Sequence, residues 1–194
     1  TTAYGDYILT DIDQDSRTEV AIVRIDPSLT NSGVDVYGWK DSAFKKLSTA
    51  PLSTGVVSVG RGGVEENFIN GDPPVRALYV SSELSDGSHV VDVIAYQQGK
   101  LTNISRYVDL EPSDVNGDGV LELPQPSPLP GQEDSTASDY WLIDWYQYDS
   151  SGQCIEVCTT YHNVTDGWYL IIPDTWKDCI TISRYDAISG QRAV

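Results

Sequence analysis

The chain has 194 residues, 40% of them apolar, with 29 acids against 12 bases and a net charge of −17. That charge repels phosphate, so nucleic acid and anionic membrane surfaces are excluded as partners and cations are favoured. No apolar run approaches a membrane span, so no membrane insertion of this segment is expected; with no signal peptide and no Met, the sequence reads as a mature or excised piece.

The content of 12 Tyr, 5 Trp and 16 Gly fits one β-rich domain with a sizeable core. The first informative stretch is TDIDQDSRTEV, residues 10–20. Asp11, Asp13, Asp15 and Glu19 fall at positions 1, 3, 5 and 9 of D-x-D-x-D-x-R-x-E, and Arg17 at position 7 offers its main-chain carbonyl. Like charges this close repel unless something neutralises them. A looping backbone with this spacing points alternate oxygens at one hard cation, which suits Ca²⁺ better than a transition metal. The plainer alternative is an acidic solvated turn. The flanks YILTDID and EVAIVRID are β-branched runs, so the loop joins two strands, unlike the helix-flanked EF-hand.

Further along, VDVYGWKDSAFKKLS from Val34 predicts a strand, an aromatic at Trp39, a turn and a second strand. The same order returns from Val91 with Tyr96, from Ile143 with Tyr148 and from Ile180 with Tyr185. Aligning the loops on Asp15, Asp72, Asp118 and Asp166 gives the same period of about 50 residues, the signature of propeller blades rather than of a helical solenoid. The expected repeats are 1–50, 51–106, 107–158 and 159–194. In the second, FINGDPPVR keeps Asn70 and Asp72 but has Phe68 and Arg76 at positions 1 and 9. The Arg76 guanidinium is expected to reach Asp72 or Asn70 in place of a cation, leaving that loop metal-free. In the third, Asp114, Asn116, Asp118, the Val120 carbonyl and Glu122 repeat the full ligand order. In the fourth, His162, Val164 and Leu170 replace ligands, and His162 is expected in a turn.

Residues 124–139, PQPSPLPGQEDSTASD, read as a Pro/Ser-rich acidic loop with an extended path. Cys154 and Cys158 lie on one expected strand, too far apart for a mutual disulfide, and Cys179 can pair with either or remain free. Three buried thiols is the preferred reading. Asn103-Ile-Ser105 and Asn163-Val-Thr165 match glycosylation sequons.

YGDYILTDIDQDSRTEVAIV and DVNGDGVLEL resemble FG-GAP or VCBS-type repeats, the calcium-bearing blades of integrin α-chain heads and of many bacterial surface proteins. Tyr4-Gly5 stands where that family often has Phe-Gly, and Gln14 and Ser16 stand where Gly is usual. The resemblance covers nearly the whole chain. It implies an all-β, β-propeller-like array of about four antiparallel four-stranded blades, either a small closed ring or part of a larger one. It also implies two structural Ca²⁺ ions, one at Asp11, Asp13, Asp15, Arg17 and Glu19 and one at Asp114, Asn116, Asp118, Val120 and Glu122.

No Ser-His-Asp or Cys-His constellation is defensible, and His89 is read in the polar turn SDGSHVV. Two function classes follow. The first is an extracellular or cell-surface, non-catalytic module that binds a protein or glycan. It presents Trp39, Trp141, Trp145, Trp168 and Trp176 or nearby loops, although most of these Trp residues are expected to pack between blades. The second is the propeller part of a secreted polysaccharide-degrading enzyme.

Overall fold

The computed structural model describes residues 3–108, 110–134, 141–163, 167–177, 179–181, 183–184 and 192–193. Three four-stranded antiparallel sheets form its body, each built from strands consecutive in sequence. The first sheet holds β1 (Ala3–Thr10), β2 (Glu19–Ile25), β3 (Gly33–Lys40) and β4 (Ala43–Pro51). The second holds β5 (Val56–Ile69), β6 (Val75–Leu84), β7 (His89–Gln97) and β8 (Lys100–Tyr107), and the third β9 (Leu123–Pro128), β10 (Trp141–Tyr148), β11 (Cys154–Asn163) and β12 (Trp168–Ile172). A two-stranded ribbon, β13 (Ser183–Arg184) with β14 (Arg192–Ala193), follows. The fold is all-β, and among the described residues no helix is long and apolar enough to cross a membrane.

Side-chain alternation explains how the sheets stack. In β2, burial alternates residue by residue, the pattern of a strand with one covered face. In β7, Val90 to Ala95 are all buried, because this strand is covered on both sides. Val90 and Ile94 join Val23, Val34 and Val36 of the first sheet in one core. Val91, Val93 and Ala95 join Leu121 and Leu123 at the start of the third sheet in another. A third, smaller core of Leu129, Leu142, Tyr161 and Ile172 lies within the third sheet.

Three repeated devices pin the sheets. Asp35, Asp92 and Asp144 occupy the same place in the three sheets and all are buried. Each accepts a hydrogen bond from the hydroxyl directly across on the next strand: Thr49 at 2.7 Å, Ser105 at 2.6 Å and Thr159 at 2.6 Å. Burial disfavours the Asp35 charge, but the Thr49 hydroxyl, Lys46 and Arg24 hold its carboxyl below the usual range. The hairpins after β3 and β7 turn through Asp41-Ser42 and Gln98-Gly99, all at positive φ, the backbone that matches strand twist in two-residue turns.

Prolines shape the third sheet. The stretch expected as a loop from residue 124 begins instead as edge strand β9. Pro124, Pro126 and Pro128 recur at period two, so their missing N–H groups all face away from β10. On that free edge Ser113 and Glu122 exchange both backbone hydrogen bonds, and the ladder ends there because the next donors would be Pro124 and Pro126. Residues 135–139 of the same stretch lie outside the described residues.

Several sequence expectations need correction. Cys154 and Cys158 do lie on β11, but Cys154 and Cys179 are exposed, Cys158 is half-buried and all three are free thiols, so three buried thiols is wrong. His162 lies within β11 and stacks on Tyr169 rather than sitting in a turn, and His89 opens β7. Of the five Trp residues only Trp145 is fully buried, while Trp39, Trp168 and Trp176 are exposed at 66%, 45% and 48%.

Candidate metal centres

The first acidic loop runs between the Thr10–Glu19 pair that ends the β1–β2 ladder. Ile12, 1% exposed, anchors it in the core between the sheets. Its turns are closed by its own acids: the Asp15 and Arg17 backbone N–H groups donate to the carboxylates of Asp13 at 3.2 Å and Asp15 at 2.9 Å, and that of Ser16 donates to Asp11 at 3.2 Å. Gln14 and Ser16 take positive φ, 58° and 69°. Asp11, Asp13 and Asp15 place a carboxylate oxygen each within 4.8 Å of one another. Glu19 stands on the inner wall, 3% exposed, outside that tightest group.

Among the described residues, Glu19 Oε2 and Asp11 Oδ1 are buried and find no hydrogen-bond partner. An orphaned carboxylate oxygen in such a place costs a few kcal/mol unless a proton or a cation takes up the charge. Burial, and then the negative charges of Asp13, Asp15 and Asp11, push the Glu19 carboxyl up to about 7. The donor set is all oxygen and carries four acids, the chemistry of a hard divalent cation.

The third-repeat loop has the same frame. Ser113 and Glu122 close it as Thr10 and Glu19 close the first. Gly117 and Gly119 repeat the positive φ of Gln14 and Ser16, at 78° and 85°. Val120 N–H donates to Asp118 at 2.8 Å, as Arg17 N–H does to Asp15. Asp114, Asp118 and Glu122 are brought within 4.8 Å of one another, and the Asn116 side chain is bonded to Asp118 by both its groups, each at 2.9 Å. Here the acids are partnered. The Gln147 side-chain N–H₂, reaching in from β10, donates to Asp118 at 2.7 Å and to Glu122 at 2.8 Å, and the Val115 N–H donates to Glu122 at 2.8 Å. Burial still raises the Glu122 carboxyl.

The second loop is not an open copy. Its ladder runs two pairs further, to Phe68 opposite Arg76 and Ile69 opposite Val75, leaving only a short turn at 70–74. Val36 and Val93 are the same position of the repeat; Ala21 faces the first and Tyr79 the second, so Ala77 rather than Arg76 stands where Glu19 does. Contrary to expectation, the Arg76 guanidinium turns away from Asp72 and Asn70. It pairs with Glu66 and lies 5.4 Å from the Phe68 ring centre. Asn70 is bonded through its backbone to Tyr148 of the third sheet at 2.9 Å. In the fourth repeat, Val164 and Asp166 lie outside the described residues.

Sequence reasoning missed two neighbours of the loops. One is Gln147, whose equivalent in the first sheet is Gly38; the two stand two residues beyond Trp145 and Val36, which are matching positions. The other is a cleft of about 710 Å³ beside the first loop, into which Asp15, Arg17, Glu19, Trp39, Lys40 and Tyr96 face. The repeated landmark from Val34 and Ile143 carries both positions, but their meaning needs the loops placed beside the hairpins. The Asn103 sequon is less available than its sequence implies, because its side-chain amide donates to Asp92 at 3.0 Å and to the Pro51 carbonyl. No family model, curated protein or solved structure matches the chain.

Proposed function

We propose that the chain is a calcium-binding section of a β-propeller, working outside the cytoplasm as a non-catalytic module that binds or adheres to a protein or glycan. The observation that carries the calcium reading is the buried, unpartnered oxygen of Glu19 beside the clustered carboxylates of Asp11, Asp13 and Asp15. The matching frame of the loop at Asp114 to Glu122 supports a second site. Three meander sheets stacked face to face support the propeller reading, since blades pack in that way.

The cation's task in this reading is structural. At each loop it neutralises acids that otherwise repel, and because it binds only the folded loop it stabilises the protein by mass action. Such sites are most useful where calcium is plentiful, which favours a working place outside the cytoplasm. Calcium titration by calorimetry tests the reading. Two sites per chain are expected, with a calcium-dependent rise in melting temperature. Absence of calcium heat, or a melting temperature indifferent to chelator, would overturn it.

A further inference from the structure

We propose that the cleft beside the first loop binds a uronic acid residue of an acidic glycan, whose carboxylate completes the coordination of the loop's cation while its ring stacks on Trp39. This rests on the calcium reading of that loop. Ca²⁺ takes 6–8 oxygens. The loop's five ligand residues provide five oxygens, or about six if one carboxylate binds through both. With five, at least one further ligand must come from water or from a bound molecule; with about six, room for one or two more remains. Asp15 and Glu19 line the cleft, and Asp15 is exposed, so the remaining positions open toward that cleft and its solvent.

The other walls match a charged sugar. Trp39 is 66% exposed, yet it is held on a strand that turns back through the tight Asp41-Ser42 hairpin, with Phe44 paired opposite. An exposed indole adjoining a polar site offers the apolar face on which the C–H face of a pyranose stacks. Arg17 and Lys40 line the same cleft and supply positive charge that a neutral sugar would not require. The third repeat lacks this arrangement. Its counterpart of Trp39 is Tyr148, whose ring is covered by the Arg106 guanidinium at 4.0 Å, and its acids are held by Gln147. The net charge of −17 makes the cation indispensable, because without it Asp13, Asp15 and Glu19 repel a uronate.

The test uses the full chain, with trigalacturonate as probe, galactotriose as its neutral counterpart, and calcium titrated into each sugar alone as the blank. Trigalacturonate is expected to bind the calcium-loaded protein and quench indole fluorescence, to bind at least tenfold more weakly after chelation, and to outbind galactotriose. Trp39→Ala is expected to weaken trigalacturonate at least tenfold while leaving both calcium heats unchanged. Equal binding to that variant, equal binding of galactotriose, or no binding of trigalacturonate to protein that does show two calcium heats would overturn the glycan proposal alone. Absence of calcium heat at the first loop would overturn the glycan proposal together with the calcium reading.

Discussion

The first and third acidic loops share one frame and differ in how their charge is held. Both close on the same backbone pair, both turn through two residues of positive φ, and both place a buried Glu behind exposed acids. In the third, Gln147 donates to Asp118 and Glu122. In the first, the matching residue is Gly38, and among the described residues no side-chain amide reaches in and an oxygen of Glu19 is left without a partner. One side chain on a neighbouring strand therefore decides whether the metal-free loop is satisfied or frustrated. The first loop should gain more from a cation, and the third should hold its shape better without one.

Removing a central acid breaks the comparison most severely. Asp15→Ala and Asp118→Ala should each delete one calcium site, weakening it by about 100-fold or more, equivalent to about 2.7 kcal/mol. The remaining site should be unaffected, because the loops share no ligand. A calorimetric titration in which either variant loses both sites would show that the loops are not independent.

Exchanging the neighbouring side chains tests the cause directly. Gln147→Gly leaves Glu122 with only the Val115 N–H, and should cost about 1–3 kcal/mol of stability in chelator, since a buried carboxylate then loses its amide partner. Gly38→Gln should act in the opposite direction by about 1 kcal/mol if its amide reaches Glu19. The added Cβ meets the end of the Leu47 side chain, Cδ1, at 2.7 Å, which must shift, and Glu19 Cγ at 3.3 Å, which must give by a few tenths of an ångström. Urea denaturation of both variants with chelator present reads the signs; the same sign for both would refute this account of the difference.

Acidity separates the loops by a smaller margin. With metal removed, folded Glu19 holds its proton up to about pH 7 while the unfolded chain releases it near 4.5. Between those values the folded state binds more protons, so this carboxyl makes stability fall as pH rises through that window. Calcium needs the ionised form, so binding at the first loop should release a proton below about pH 7 and strengthen by up to tenfold per pH unit. Calcium titrations of Asp118→Ala in buffers of different ionisation heat measure that release. A heat independent of buffer at pH 6 would contradict the orphaned carboxyl.

The acids were legible in the sequence because they alternate at fixed positions in each loop, and the strands because a covered face imposes period two. The second loop was not. A change of one residue in register, which moves Ala77 into the place of Glu19, alters no composition, and the Phe68–Arg76 pair is recognisable only once the ladder has closed. Strand β9 was hidden by prolines whose meaning depends on which edge they face. The exposure of Trp39 was equally hidden, since it depends on what the neighbouring hairpin covers rather than on the indole. Asp35, Asp92 and Asp144 stood in plain view at one position of each repeat, but an isolated Asp in an apolar strand does not announce the hydroxyl across from it.

The smallest expected effect concerns the turn itself. Gln14 and Ser16 adopt φ of 58° and 69°, where a side chain other than Gly, Asn or Asp carries a cost of about 1 kcal/mol against the following carbonyl. Gly117 and Gly119 meet the same demand without that cost, and a Cβ at either has no neighbour within 4 Å, so space is not what selects glycine there. Gln14→Gly and Ser16→Gly should therefore stabilise the folded first loop, each by at most about 1 kcal/mol, because the glycine also gains freedom in the unfolded chain. Gly117→Ala and Gly119→Ala should destabilise by about the same amount. Calcium affinity should move with these changes, since the strained backbone is the one that aims Asp13 and Asp15. Melting temperatures of the four variants in calcium decide it: a loss on Gln14→Gly as large as that on Gly117→Ala would mean that the side chains of the first loop, rather than its backbone, hold its shape.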